Sequence, residues 1–249
     1  MQPTITIALR AARVISESMT FLQRELQADK DNPSAMQQRV TRSIDDCLDR
    51  ASQILSKAYP DQQIITDDLD CPAEQENFWQ IGGFSGLNDF LRGGHQLSFT
   101  IAQYQKGRLE HCLISFPNLE QYFSASRSRG AQMNDGRLRC RFTEKLSELR
   151  LAISSSELAD WLASQPELNY SSYDNPILMH CQVAAGIFDA SLSQAISILN
   201  QDSINLLLQE SGAITGQANG HPLTQKGKQS ILSAHPKTFK QLVILQQQG

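Results

Sequence analysis

Five consecutive residues, Gly82-Gly83-Phe84-Ser85-Gly86, could hold an anion through the backbone. Glycines let amide N–H groups approach a ligand closely, and a helix following them would add its positive N-terminal end. The alternative is an ordinary glycine-rich loop, because no Walker-type lysine follows. Asp67-Asp68 end a short strand pattern. Two carboxylates there suit either a loosely held cation or a solvated strand end. Arg127, Arg129, Arg137, Arg139 and Arg141 make a local basic stretch. Such alternation serves a protein or RNA partner, or it charges and protects a sheet edge. Ser154 and the two serines after it have no base nearby in sequence and are given no catalytic role. His180 and Cys181 are adjacent, but neighbours on a helix point about 100° apart, so a shared metal is not expected.

The chain has 249 residues, 40% hydrophobic and 19% charged, which is enough to bury a core in one domain or two close-packed halves. Its net charge of −4 opposes a nucleic-acid partner recognised by bulk electrostatics. No apolar run is long enough to span a bilayer. The apolar start, Thr4 to Leu9, meets Arg10 and Arg13 at once and reads as an amphipathic helix, not a signal peptide. Five scattered cysteines without a C-x-x-C pair imply reduced thiols and a cytoplasmic location.

Apolar residues at Ile7, Ala8, Ala11, Ala12, Ile15, Met19 and Leu22 predict a helix over 4–27. A polar loop is expected over 28–36 and a second helix over 41–58, stopped by Tyr59-Pro60. A short buried strand follows at 63–66. Strands are then expected at 78–81, 97–104, 109–116 and 121–125, with Lys106-Gly107 as a hairpin turn and further turns at Pro117-Asn118 and Asn134-Asp135-Gly136. Beyond them come a strand at 150–154, a short helix around Trp161, helices at 177–186 and 202–212, a strand at 231–234 and a helix at 236–246. Gly212 would end the second of those helices. The order predicts a layered α/β architecture, with an N-terminal α+β half over 1–146 and a C-terminal α/β half over 147–249.

Several anchors resemble the inositol monophosphatase family, particularly its bacterial extragenic-suppressor branch. They are Ala8 to Arg13 (ALRAAR), Val40-Thr41 with Tyr59-Pro60, Ile64-Ile65-Thr66-Asp67-Asp68, Gly130-Ala131-Gln132-Met133-Asn134, Val183-Ala184-Ala185-Gly186 with Asp189, Gln209-Glu210-Ser211-Gly212, and Leu232-Ser233-Ala234-His235-Pro236. They run in order along nearly the whole chain. The segment from Ser154 to Asp174 is shorter than usual for the family. The resemblance implies an α-β-α-β-α sandwich, commonly a homodimer, and magnesium-dependent hydrolysis of a small phosphate monoester.

That chemistry needs clustered carboxylates to hold metals that activate water and bind phosphate. The family signature W-x-I-D-P-[IL]-D-G-T-x-N-F aligns without a gap on Trp79 to Phe90. The resemblance therefore places Gly82 and Ser85 where the metal aspartates stand, and Leu87 where a threonine orients the attacking water. The Glu-Glu pair becomes Asp67-Asp68. A later aspartate becomes Asn200, with Asp202 expected to face away, and another becomes Ile44 beside Asp45. The expectation is a homologue without magnesium-dependent phosphatase activity, acting by protein-partner or small phosphate-ligand binding. Its remnant pocket would be Asp67, Asp68, Ser85, Leu87 and Asn200, and its weak anion contact Gly82, Gly83, Ser85 and Gly86; no cofactor is expected, the alternative being a loosely held magnesium at Asp67 and Asp68. The alternatives are an altered magnesium-dependent phosphatase and an RNA- or transcription-complex-associated factor.

Overall fold

The computed structural model describes residues 2–28, 33–66, 76–154, 165, 168–224 and 229–248. Two long helices, α1 (Pro3–Ala28) and α2 (Pro33–Ala58), pack as an antiparallel pair on one face of a seven-stranded sheet. The sheet runs in chain order through β1 (Gln63–Ile65), β2 (Phe78–Ser85), β3 (Ser98–Gln105), β4 (Arg108–Phe116), β5 (Gln121–Ser126), β6 (Gly130–Met133) and β7 (Gly136–Arg137). Only β1 and β2 pair in parallel; the other neighbours are antiparallel. A short helix, α3 (Leu87–Leu91), follows β2. On the other face lie α4 (Pro176–Ala184) and α5 (Ile198–Ser211), then a second sheet in the order β11 (Ile214–Gly216), β12 (Ile231–Ala234), β10 (Ala190–Ser193), β8 (Arg150–Ile153), β9 (Asn169–Ser172). Helix α6 (Pro236–Gln248) covers its far side. The layers are thus helix, sheet, helix, sheet, helix.

Both faces of the first sheet are covered, which explains why its strands are apolar on both sides. In β3, Phe99 and Ile101 enter the core under α1 and α2, whereas Ala102 and Tyr104 enter the core under α4 and α5. The latter core also takes Leu199, Ile204, Leu206, Leu207 and Leu208 from α5. That helix is buried nearly all round because it lies between two sheets, and it takes polar Asn200, Ser203 and Ser211 inside with its leucines.

Several boundaries differ from the sequence reading, and each has a local cause. Helix α2 begins at Pro33 instead of residue 41: proline fits the first turn, and Met36 and Val40 are buried. Helix α5 begins at Ile198 instead of Asp202, because the Ser197 hydroxyl accepts from Asn200 N at 3.4 Å and starts it earlier. Gly212, at φ 94°, ends it as expected. Strand β1 is half-exposed at the sheet edge and not buried. Pro117-Asn118 turns through a single 3-10 turn. Strands β6 and β7, on either side of the expected Asn134-Asp135-Gly136 turn, and β9, β10 and β11 were not anticipated. The helix expected around Trp161, and much of the segment from Ser154 to Asp174, lie outside the described residues. Among the described residues, no helix is long and apolar enough to cross a membrane.

Candidate functional site

The glycine-rich segment is not a loop. Strand β2 continues through it, pairing Gly82 with Thr100 and Ser85 with Ser98, and a bulge between these pairs displaces Gly83 and Phe84. The bulge turns Gly83 to φ +59°, which only glycine adopts without strain. A Cβ there would sit 2.7 Å from the Asn200 Oδ1. Asn200, from the first turn of α5, fills that space. Its Nδ2 donates to the Gly83 carbonyl at 2.9 Å, and its Oδ1 accepts from the Thr100 hydroxyl at 2.6 Å. Asn200 and Thr100 are both buried.

A second neutral cluster adjoins the first. Asn175 caps α4, with its Oδ1 accepting from Ile177 N at 2.8 Å and Leu178 N at 3.3 Å. The same oxygen accepts from the Ser85 hydroxyl at 3.3 Å. Its Nδ2 donates to the Gln96 carbonyl and, at 3.1 Å, to the Ser98 hydroxyl. Gly86, at φ +80°, passes so close that a Cβ would lie 2.6 Å from the Gln96 carbonyl oxygen. Asn175, Gln96 and Thr100 were not singled out from the sequence. The pair Asn175-Pro176 did carry a signal, since asparagine before proline is a helix start.

The remaining predicted positions are dispersed. Leu87 opens α3 and packs against the core under α1 and α2. Ile44 lies against that same core while Asp45 is exposed. Asp202 does not bond Asn200; it accepts from the Tyr104 hydroxyl at 3.1 Å, on the same strand β3 that offers Thr100 to Asn200, and burial pushes its carboxyl pKa upward. Asp67 and Asp68 lie outside the described residues. The side chains joined to Asn200 and Asn175 in these two clusters are therefore amides and hydroxyls, with the Asp89 carboxylate beside them accepting from Gln96 N at 2.9 Å. Among the described residues, no three His, Cys, Asp or Glu side chains gather in a way that could hold a metal. The described side chains by themselves do not supply what magnesium demands, near-octahedral oxygen ligation with carboxylate charge.

Two family anchors acquire a structural reason. Glu210, on α5, accepts from Ser128 N at 2.6 Å and Gly130 N at 2.8 Å and so clasps the β5–β6 turn. Asp189 is buried and accepts from the Thr143 hydroxyl and from Arg150 N at 2.9 Å. A family profile described as the inositol monophosphatase family matches residues 1–248. The chain belongs to the inositol monophosphatase family. Relatives in this family include the Nus factor SuhB of Pseudomonas aeruginosa, 28% identical over 98% of this chain and 95% of that one. The Nus factor SuhB of Pasteurella multocida is 26% identical over 98% and 95%. The fold is similar to that of the extragenic suppressor protein SuhB from Bartonella henselae, with a TM-score of 0.82 and 18% identity over 99% of each chain. It is also similar to inositol monophosphatase from Anabaena, with a TM-score of 0.78 and 18% identity over 100% of this chain and 96% of that one.

The family signature carries proline at the position of Gly83. Proline fixes φ near −65°, so the backbone observed here is closed to it. Gly83→Ala should lower stability by about 2–3 kcal/mol, combining left-handed strain with a displaced Asn200. Urea unfolding would measure it. A loss under about 0.5 kcal/mol would contradict the close approach described here.

Proposed function

We propose that this chain is an inositol monophosphatase homologue that has lost magnesium-dependent hydrolysis and works by binding a protein partner, as a homodimer. The observation that carries the reading is the Gly83–Asn200 contact. Asn200 stands where the resemblance places a metal aspartate, and its amide is bonded to the Gly83 carbonyl and to Thr100. A carboxylate at the same point would set an oxygen against that carbonyl, so this backbone favours the neutral side chain. Gly82 offers no side-chain ligand, and the Ser85 hydroxyl is directed to Asn175. A Lewis acid that lowers the pKa of water and neutralises developing charge would have few anchors here.

The relatives named Nus factors support a partner in the transcription machinery. Arg137, on the edge strand β7, and Arg139 are exposed and make no ion pair among the described residues, so they are available to such a partner.

The test is release of phosphate from inositol, sugar and nucleotide monophosphates by the purified chain with magnesium. The expected rate equals that of a protein-free blank. Turnover abolished by Asp67→Asn would overturn the reading and favour an altered phosphatase built on Asp67 and Asp68. The partner half is tested separately. Purified transcription-complex proteins should be retained by the wild-type chain and lost on changing Arg137 and Arg139 to Glu.

A further inference from the structure

The first sheet carries a cavity on the face opposite Asn200. Phe123 and Ala125 of β5 point into the core under α4 and α5, so Ser124 and Ser126 point to the side of α1. There, with Gln132 of β6, they line a cavity of about 140 Å³ that meets Gln2 and Ile5 at the start of α1 and Arg129 at its rim. This is several times the roughly 30 Å³ a water occupies in the liquid. It is well below the about 300 Å³ at which pockets for drug-sized ligands begin.

We propose that this cavity binds a small tetrahedral oxyanion of the phosphate or sulfate class. Helix α1 is 26 residues long, and its first turn presents a positive end to the cavity. The independent observation is Ser124. It is only 3% exposed and lines the cavity, yet its hydroxyl has no hydrogen-bond partner among the described residues. That hydroxyl opens onto the cavity, where a ligand oxygen would give it a partner. Arg129 is exposed at the rim and makes no ion pair among the described residues; the Gln2 and Gln132 amides face the same space without protein partners there. These donors come from the sheet floor, the β5–β6 turn and the helix start, and so surround a ligand, which suits a tetrahedral anion better than a planar one.

Neighbouring groups are compatible with a negative ligand. Ser126 is paired with His111 Nδ1 at 2.8 Å, and burial lowers the pKa of that histidine, keeping it neutral. The Glu210 carboxylate approaches the same turn from its other side, but its oxygens are bonded to the amides of Ser128 and Gly130.

Calorimetric titration of the full chain with inorganic phosphate, at fixed ionic strength in chloride, tests the site. One saturable site per chain is expected, with sulfate competing and acetate much weaker. Arg129→Ala should raise the phosphate Kd about tenfold or more, because a charge-assisted contact is lost. Ser124→Ala should raise it several-fold, and Ser85→Ala should leave it unchanged. Arg129 is exposed, so its variant remains informative if Ser124→Ala folds poorly. Heats that never saturate, an Arg129→Ala affinity equal to wild type, acetate binding as tight as phosphate, or loss of binding in Ser85→Ala would each overturn the proposal.

Discussion

Asn175→Ala is expected to lower the unfolding free energy by about 3–4 kcal/mol, the largest loss for any single substitution considered in this fold. The side chain is 0% exposed and joins three elements at once. Removing it takes away the cap of α4, typically about 1 kcal/mol. It also leaves the Gln96 carbonyl and the Ser98 hydroxyl without their donor and the Ser85 hydroxyl without its acceptor. Each buried group left unsatisfied costs about 1–3 kcal/mol, partly recovered by relaxation. For a chain of this size, the loss corresponds to a fall in Tm of roughly 10 °C. Asn175→Ser keeps a capping oxygen but cannot reach the Gln96 carbonyl, so it should fall between alanine and wild type. Urea unfolding of the three proteins decides the matter. Alanine and wild type within about 1 kcal/mol of each other would refute the network as a source of stability.

Acid sensitivity from His180 is the second large effect. Helix α4 places this imidazole at 0% exposure against the second sheet. The Ser193 hydroxyl donates to the Gln194 carbonyl at 2.8 Å, so its oxygen accepts from His180 Nε2–H at 2.9 Å. Nδ1, with its single lone pair, is then the acceptor that faces the hydroxyls of Ser191 and Ser233, each 2.8 Å away. A proton on Nδ1 would reverse the hydrogen bonding there, with the hydroxyls accepting instead, and place a charge in the core. Burial accordingly pushes the group down to about 3 from an ordinary 6.5. The unfolded chain takes up the proton near pH 6.5 and the folded chain does not. This contribution to stability is therefore complete above about pH 6.5 and is lost progressively as pH falls toward 3. At about 1.4 kcal/mol per pKa unit it reaches a few kcal/mol by pH 4. His180→Gln cannot titrate, so its stability should fall less steeply than that of wild type between pH 6.5 and 4, whatever its stability at pH 7. Parallel pH profiles for the two proteins would rule the contribution out.

How much of this was legible in the residues depended on the range of the interaction. Short-range signals read correctly: Lys106-Gly107 turns the β3–β4 hairpin with φ values of 52° and 69°, and Gly212 ends α5. The family anchors identified the layered fold. Strand β10, Ala190-Ser191-Leu192-Ser193, gave no strand signal because its inward serines exist to meet His180, a partner 11 to 13 residues earlier on another element. The glycine-rich segment read as a loop because glycine ordinarily weakens a strand. Here the bulge makes room for an asparagine 117 residues later. Gapless alignment could say which residues stand at the signature's positions, but not that Asn200 would bond Thr100 or that Ser85 would bond Asn175.

The clasp of Glu210 on the β5–β6 turn, together with Asn200 on Gly83, also sets an order of events during synthesis. The bonds span 80 and 82 residues in the first case and 117 in the second. Contacts of such separation form late. When the seven strands of the first sheet have left the ribosome, α5 has not yet been made, and the side of the sheet carrying Phe78, Tyr104 and Phe123 has nothing from α5 to cover it. At ordinary elongation rates the wait is on the order of ten seconds. The nascent N-terminal half is thus the stage at which this chain most needs protection from aggregation.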